Sequence, residues 1–84
     1  MARILYFASL RERMGRTEEA LPLPPEIGTV GELVAFLRGR DDAGAQAFAH
    51  PAIVRAAVNQ EFAAPGSPVQ DADEIAFFPP VTGG

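Results

Sequence analysis

The chain has 84 residues, a mass of 8.9 kDa and a formal net charge of −4, which is enough for one small domain. A hydrophobic fraction of 48% and a charged fraction of 21% are typical of a folded globule and exclude a disordered chain. The lack of cysteine and the single histidine, His50, exclude disulfides, thiolate metal sites and histidine metal clusters, and the acidic charge argues against nucleic-acid binding.

The first third of the chain predicts a strand, a short helix and a second strand. Residues Arg3–Ala8 are rich in β-branched and aromatic side chains, which predicts the first strand. Ser9 lies at capping-box spacing from Glu12, and this predicts a short helix over Leu10–Met14. Thr17–Leu23 is predicted as a second strand that pairs with the first as a hairpin and is ended by prolines.

The clearest helix of the sequence follows these two strands. Thr29 and Glu32 have capping-box spacing, which predicts a helix that starts at Thr29 and ends near Gly39. Its apolar residues recur at helical spacing, at Val30, Leu33, Val34 and Leu37. The stripe that they form predicts that this helix packs across one face of a sheet.

The second half of the chain predicts three more strands. After a loop over 40–51 that holds a short helix around Ala45–Ala49, Ile53–Asn59 is predicted as the third strand. Glu61–Ala63 is predicted as a very short fourth strand, followed by a turn rich in proline and glycine. Glu74–Phe78 is predicted as the last strand, after a turn of acidic residues.

This order of elements predicts an α+β domain over residues 1–78, with one main helix across one face of a mixed four- or five-stranded sheet. If the first and last strands lie side by side in the centre of the sheet, the architecture is a β-grasp, the ubiquitin-like fold. No apolar run approaches the ~20 residues that cross a bilayer, and no signal peptide is recognisable. We therefore expect a cytoplasmic domain with a protruding tail over residues 79–84.

Aromatic residues are predicted on the face of the sheet that the helix leaves open. Side chains of the last strand alternate between two faces, with Phe77 on one and Phe78 on the other. Phe7 and Phe62 join Phe78 on the second face, where clustered exposed aromatics indicate a surface for a protein partner. The alternative is that the 40–51 loop buries these three side chains.

The last six residues carry the group that can react. Pro79 and Pro80 impose an extended course and end strand pairing, so the tail projects on the order of 19 Å. Gly83 and Gly84 have no side chains and can pass through a narrow channel to present a carboxylate. Adenylation of that carboxylate, followed by attack of sulfide, would produce a thiocarboxylate, a nucleophile that needs no cysteine. An inert, frayed terminus is the alternative.

The chain closes with the run Phe77-Phe78-Pro79-Pro80-Val81-Thr82-Gly83-Gly84. This ending resembles that of the molybdopterin synthase small subunits, the sulfur carriers of molybdenum-cofactor synthesis. Further agreement lies in Leu5-Tyr6-Phe7-Ala8 with Leu10-Arg11-Glu12, in Ala57-Val58-Asn59-Gln60 and in Asp73-Glu74. One departure is Ala72, which stands where that family often has glycine in the turn before the last strand.

The resemblance implies a sulfur carrier with a β-grasp fold, which is part of a sulfurtransferase complex and is not catalytic alone. Gly84 would be adenylated by a ubiquitin-activating-like adenylyltransferase that uses ATP with Mg, and a sulfur donor protein would then convert it to a thiocarboxylate. The tail would enter the large synthase subunit, commonly within a heterotetramer. There it would give sulfur to cyclic pyranopterin monophosphate and so form the molybdopterin dithiolene.

The resemblance also implies which residues contact the partner proteins. Besides the reactive Gly84, they comprise the open-face aromatics and the tail, namely Phe7, Phe62, Phe78, Pro79, Pro80, Val81, Thr82 and Gly83. We expect this chain itself to bind no metal and no cofactor.

Three alternatives to this function stay open. The chain could be a sulfur carrier for thiamine or cysteine synthesis, a ubiquitin-like modifier that forms isopeptides, or an interaction module with an inert tail. The Gly-Gly ending is common to carriers and modifiers, so it does not separate them. The segment Phe77-Phe78-Pro79-Pro80 favours the molybdopterin pathway over the other carriers.

Three smaller features are predicted to have no chemical role. His50 is predicted as a loop residue, since no second ligand or base lies near it in sequence. Arg11, Arg13 and Arg16 are predicted as a solvated face, with a partner contact as the alternative. The acidic turn before the last strand lacks the glycine and the ligand spacing of a calcium loop.

Overall fold

The computed structural model describes residues 1–80 of the chain. Val81, Thr82, Gly83 and Gly84 lie outside the described residues, and so do the predictions that depend on them. The described part contains, in chain order, β1 (Ala2–Tyr6), α1 (Ala8–Met14), β2 (Glu18–Leu21), α2 (Val30–Arg40), α3 (Asp42–Ala47), a 3-10 turn (Pro51–Ile53), β3 (Arg55–Val58), β4 (Glu61–Ala63) and β5 (Glu74–Phe78).

A mixed sheet of five strands forms the framework, in the order β2-β1-β5-β3-β4. β1 and β5 pair in parallel at its centre, with Ile4 opposite Ile75 and Tyr6 opposite Phe77. The other neighbouring strands pair antiparallel, including the predicted hairpin of β1 and β2. The central parallel pair, with α2 as the longest helix, confirms the predicted β-grasp architecture.

The helices bury one face of the sheet. The largest fully buried side chains are Tyr6, Phe48, Phe77, Ile4, Leu33, Leu37 and Ile75. The ring centroid of Phe77 lies 5.2 Å from that of Phe48 in an edge contact and 6.5 Å from that of Tyr6 in a stacked one. Each fully buried large apolar side chain contributes about 1.5–3 kcal/mol, so this layer is the main favourable contribution to folding.

α2 begins where the capping-box spacing predicts. The Thr29 hydroxyl oxygen accepts a hydrogen bond from the backbone N–H of Glu32 at 3.1 Å. The Glu32 carboxylate in turn accepts from the N–H of Gly28 at 2.9 Å, so two N–H groups at the helix start are satisfied. The predicted apolar stripe faces the core, and the helix ends at Arg40, one residue beyond the predicted end.

The predicted start of α1 is wrong. β1 ends at Tyr6, and α1 begins at Ala8 with Phe7 as its N-cap. Ser9 therefore lies inside the helix, and no side chain caps it. The cause is a tertiary contact, because the N–H of Phe7 still donates to the carbonyl oxygen of Phe77 at 3.1 Å. The chain turns into the helix directly after this last bond to β5.

Three further helix and strand boundaries differ from the predicted ones, each for a local chemical reason. α3 occupies 42–47 instead of the predicted 45–49, because the Asp41 carboxylate accepts from the N–H of Gly44 at 2.8 Å and caps the helix there. The third strand begins at Arg55 and not at residue 53, since Pro51 starts a 3-10 turn that precedes it. β2 ends at Leu21 and not at the predicted Leu23, because the next residue is a proline, which has no N–H to donate to the sheet.

A polar cluster joins β1 and β2 to the end of α2. The Glu19 carboxylate accepts from the Tyr6 hydroxyl at 2.7 Å and from the two terminal nitrogens of Arg40 at 2.8 and 2.9 Å. The bonds from Arg40 are the main reason that the pKa of Glu19 lies below its usual value. Burial, together with the bond to Glu19, raises the pKa of Tyr6. The cluster thereby fixes the C-terminus of α2 over the sheet.

Gly44 and Gly39 provide a matched test of how closely α3 packs on α2. A Cβ at Gly44 would collide with the carbonyl oxygen of Leu37, whereas a Cβ at Gly39 would meet no atom within 4 Å. Gly44→Ala should lower the free energy of unfolding by about 3 kcal/mol. Gly39→Ala should raise it by about 0.5–1 kcal/mol, because alanine favours a helix. Urea unfolding measures both, and a Gly44→Ala protein as stable as wild type would contradict this packing.

Candidate functional site

The strand that leads into the tail lies at the centre of the sheet. β5 ends at Phe78, and the half-buried Pro79 and Pro80 follow as the last described residues. Proline has no N–H to donate, so strand pairing does not continue past Phe78. Because β1 runs parallel to β5, Phe7 lies at the same end of the sheet, bonded to the carbonyl oxygen of Phe77.

Two of the predicted surface aromatics are in contact on the open face of the sheet. The ring centroids of Phe62 and Phe78 lie 6.0 Å apart with an interplanar angle of 61°. Phe62 is 87% exposed and Phe7 is 47% exposed, whereas Phe78 is half-buried. The alternative in which the 40–51 segment buries all three side chains is wrong, because that segment contains α3, which packs on α1 and α2.

A row of apolar residues extends the aromatic pair across four strands. In the strand register Phe62 stands opposite Ala57, Ala57 opposite Ala76, and Ala76 opposite Leu5. Residues paired in this way point to the same face, here the one opposite the helices. The two alanines are small, so the row is low in its middle and bordered by Phe62 and Leu5. An exposed apolar surface of this kind is typical of a protein-binding site.

An ion pair borders this surface on the side of β2. Arg3 and Glu18 lie 2.6 Å apart between the guanidinium nitrogen and a carboxylate oxygen, and both side chains are about half exposed or more. The hydrogen bond to Glu18 raises the pKa of Arg3. Both residues project from the open face, since Glu18 stands opposite Leu5 in the register. The apolar row therefore ends at a charged edge.

A small cleft of about 40 Å³ lies on the helix side of the tail base. The residues around it include Leu10, Arg13, His50, Ile53, Pro79 and Pro80. Ile53 is 54% exposed, so apolar surface is present on this side of the tail as well. The sequence predicts His50 as a loop residue, and the structure places it beside Pro79 and Pro80 at the tail base. The contact joins three segments that are far apart in the chain, and no local pattern signals it.

The acidic turn before β5 is engaged in hydrogen bonds to the backbone. Asp71 accepts from the N–H of Leu23 at 2.8 Å, which is the main reason that the pKa of Asp71 is lowered. Asp73 accepts from the N–H of Gln70 at 2.7 Å and from the side-chain amide of Asn59 at 3.0 Å. Within residues 1–80 no group of three or more acidic or histidine side chains is arranged to hold a metal ion.

Among the described residues, none of the helices has the length and apolar character that a membrane crossing requires.

The sequence of the chain is similar over its full length to those of sulfur carrier subunits of molybdopterin synthase. The ThiS family model matches residues 4–84. The chain is 38% identical over 84 residues to the molybdopterin synthase sulfur carrier subunit of Escherichia coli (strain K12), covering 100% of each chain. It is 37% identical over 84 residues to the protein of the same name from Haemophilus influenzae, again with 100% of each chain covered.

Solved structures share the fold. A putative molybdopterin converting factor, subunit 1, from Pyrococcus furiosus superposes with a TM-score of 0.76 at 27% identity, covering 95% of this chain and 97% of that chain. SAMP1 from Haloferax volcanii, a small archaeal modifier protein, superposes with a TM-score of 0.74 at 27% identity, covering 99% of this chain and 98% of that chain. These likenesses confirm the ubiquitin-like fold class predicted from the sequence.

The two faces of the sheet predict opposite responses to truncation of phenylalanine. Phe77→Ala removes a fully buried ring and should lower the free energy of unfolding by about 3–5 kcal/mol. Phe62→Ala removes an 87% exposed ring that makes an edge contact with Phe78, and it should change this free energy by about 1 kcal/mol or less. Chemical denaturation of both variants tests the assignment. A large loss of stability in Phe62→Ala would mean that the open face is covered within the free protein.

Proposed function

The chain belongs to the ThiS family, and we propose that it is the sulfur carrier subunit of a molybdopterin synthase. The observation that carries this proposal is the similarity, over the full length of both chains, to sulfur carrier subunits of that enzyme. The fold supports it, because β5, which leads into the tail, is the central strand of the sheet and lies beside exposed aromatic side chains. The chain is one component of a sulfurtransferase complex in the cytoplasm and does not catalyse the reaction alone.

Sulfur loading begins at the carboxylate of Gly84. One carboxylate oxygen attacks the α-phosphorus of ATP on an activating enzyme of the ubiquitin-activating type, where Mg²⁺ balances the phosphate charge and pyrophosphate leaves. A sulfur donor protein then delivers sulfur at the oxidation level of sulfide. That sulfur attacks the acyl carbon and displaces AMP, which leaves a thiocarboxylate on Gly84. ATP is thus a substrate of the activating enzyme, and the carrier itself holds no cofactor.

Sulfur delivery takes place in the large synthase subunit. The thiocarboxylate is an anionic nucleophile, and two such transfers to cyclic pyranopterin monophosphate build the dithiolene of molybdopterin. The tail residues that enter the large subunit are Pro79, Pro80, Val81, Thr82, Gly83 and Gly84. Phe7, Phe62 and Phe78 bind the surface of that subunit around the entrance. Support for this arrangement comes from the exposure of Phe7 and Phe62 beside the tail base.

A protein modifier is the second candidate function, because SAMP1 has a similar structure. Carrier and modifier share the adenylate of Gly84 and differ in the nucleophile that attacks it, sulfide in one case and a lysine amine in the other. Carriers for thiamine or cysteine synthesis would share the loading steps and differ in the recipient. The named sulfur carrier relatives are more similar in sequence than the modifiers, which favours the molybdopterin carrier.

Intact-mass analysis tests the loading step. The purified chain is incubated with ATP, Mg²⁺, the activating enzyme of the same organism and a sulfur source. We expect a gain of about 16 Da, because one terminal oxygen is replaced by sulfur. A chain that lacks Gly84 is the matched control and should gain no mass. An unchanged wild-type mass, or attachment of the chain to lysines of other proteins under the same conditions, would contradict the carrier function.

Phe62→Ala tests the open aromatic face as the surface for the large subunit. The exposed ring becomes buried in the complex, and truncating such an interface anchor costs about 2–4 kcal/mol, or at least thirtyfold in Kd. Phe36→Ala is the control, since Phe36 is also partly exposed at 38% but lies on α2. Calorimetric titration with the large subunit gives both values. A change below threefold for Phe62→Ala, or equal changes for both variants, would rule out this surface.

A further inference from the structure

Two exposed arginines flank the base of the tail. Arg55 is the first residue of β3 and stands opposite Phe78 in the strand register, which places it on the open aromatic face. Arg13 lies on α1 and borders the cleft beside Pro79 and Pro80, on the helix side of the sheet. The tail therefore starts between a cation on one face and a cation on the other.

Neither arginine forms a salt bridge with another residue in the 1–80 range. Other arginines of the chain do, for example Arg3 with Glu18 at 2.6 Å and Arg40 with Glu19 at 2.8 Å. Exposed cations contribute little to folding, so the placement of two of them at the tail base is not explained by stability. α1 also carries Glu12 between Arg11 and Arg13, which leaves this helix with a net positive charge.

Carboxylates gather at the opposite end of the sheet, where β5 begins. Four of them are Glu61, Asp71, Asp73 and Glu74. Glu74 stands opposite Arg3 near the start of β1, four residues along β5 from the tail base, a separation of about 13 Å. These four carboxylates thus lie at the end of β5 away from Arg13 and Arg55, and cations are near two of them, the N-terminal ammonium at Asp71 and Arg3 at Glu74.

We propose that Arg13 and Arg55 bind carboxylates on the rim of the pocket in the large subunit that receives the tail. The inference rests on the proposed function, because it requires a partner that admits the tail. The whole chain carries a charge of −4, so net charge alone would select a basic partner surface. The two local cations instead favour acidic side chains at the entrance, because opposite charges across an interface speed association and fix its register.

The positions of the arginines favour separate carboxylates over one phosphate group. Arg55 projects from the open face and Arg13 borders the helix side, with Pro79 between them. The two residues therefore lie on opposite faces of the sheet, which favours two separate anionic partners over one. A phosphate is usually held by several donors that converge, such as guanidinium forks and N–H groups at a helix start. Separate acidic side chains around the entrance match the placement of the two arginines on opposite faces of the sheet.

Charge reversal tests the proposal in binding kinetics. Arg13→Glu, Arg55→Glu and the control Arg38→Glu each change the net charge by the same amount, and Arg38 is an exposed residue of α2. Association with the large subunit of the same organism is measured by stopped flow at about 50 mM and about 500 mM NaCl. We expect Arg13→Glu and Arg55→Glu to slow association about tenfold at low salt and much less at high salt. Arg38→Glu should slow it less than twofold.

Three outcomes would overturn the inference. Equal slowing by all three Glu variants would mean that only net charge affects association. Unchanged rates would mean that Arg13 and Arg55 do not contact the rim. Faster association of Arg55→Glu would indicate a basic rim. A wild-type chain that does not bind the large subunit would contradict the proposed function itself.

Arg13 lies in the last turn of α1, where a cation stabilises the helix, so the melting temperature of each variant is measured together with its association rate. Arg13→Gln keeps the fold with half the charge change and should slow association by an intermediate factor.

Discussion

The parallel pairing of β1 with β5 is the constraint from which the functional geometry follows. Parallel neighbours end at the same edge of a sheet, so Phe7 at the end of β1 and Pro79 after β5 lie together. β5 is the middle strand of five, which places the start of the tail at the centre of that edge. The pair joins segments some 70 residues apart, so the base of the tail takes this position only when the two ends of the domain have come together.

The same alternation of side chains along β5 serves stability and recognition separately. Ile75 and Phe77 point to the helices and are fully buried, while Ala76 and Phe78 point to the open face. Substitutions on the open face can therefore change binding without disturbing the core. Phe62, at 87% exposure on an edge strand of three residues, is the clearest case of a large apolar side chain that stays exposed in the free domain.

Local patterns predicted the parts of this fold that depend on local chemistry. The capping box at Thr29 and the bounds of β4 and β5 agree with the structure, since hydrogen bonds and alternation within a few residues determine them. The predicted start of α1 is wrong because a hydrogen bond between Phe7 and β5 outweighs the local signal of Ser9. The cleft at the tail base could not be predicted from local patterns either. Its residues come from α1, the 3-10 turn and the end of β5, which only the tertiary fold brings together.

The central claim is that sulfur bound to Gly84 is the sulfur that enters the product. The direct test mixes the thiocarboxylated chain with the large subunit and cyclic pyranopterin monophosphate and follows the mass of the carrier while the product forms. The account predicts that molybdopterin appears as the carrier loses about 16 Da and returns to its carboxylate mass. Product formed at the same rate with a chain that lacks Gly84, or a carrier that keeps its sulfur while product accumulates, would contradict it.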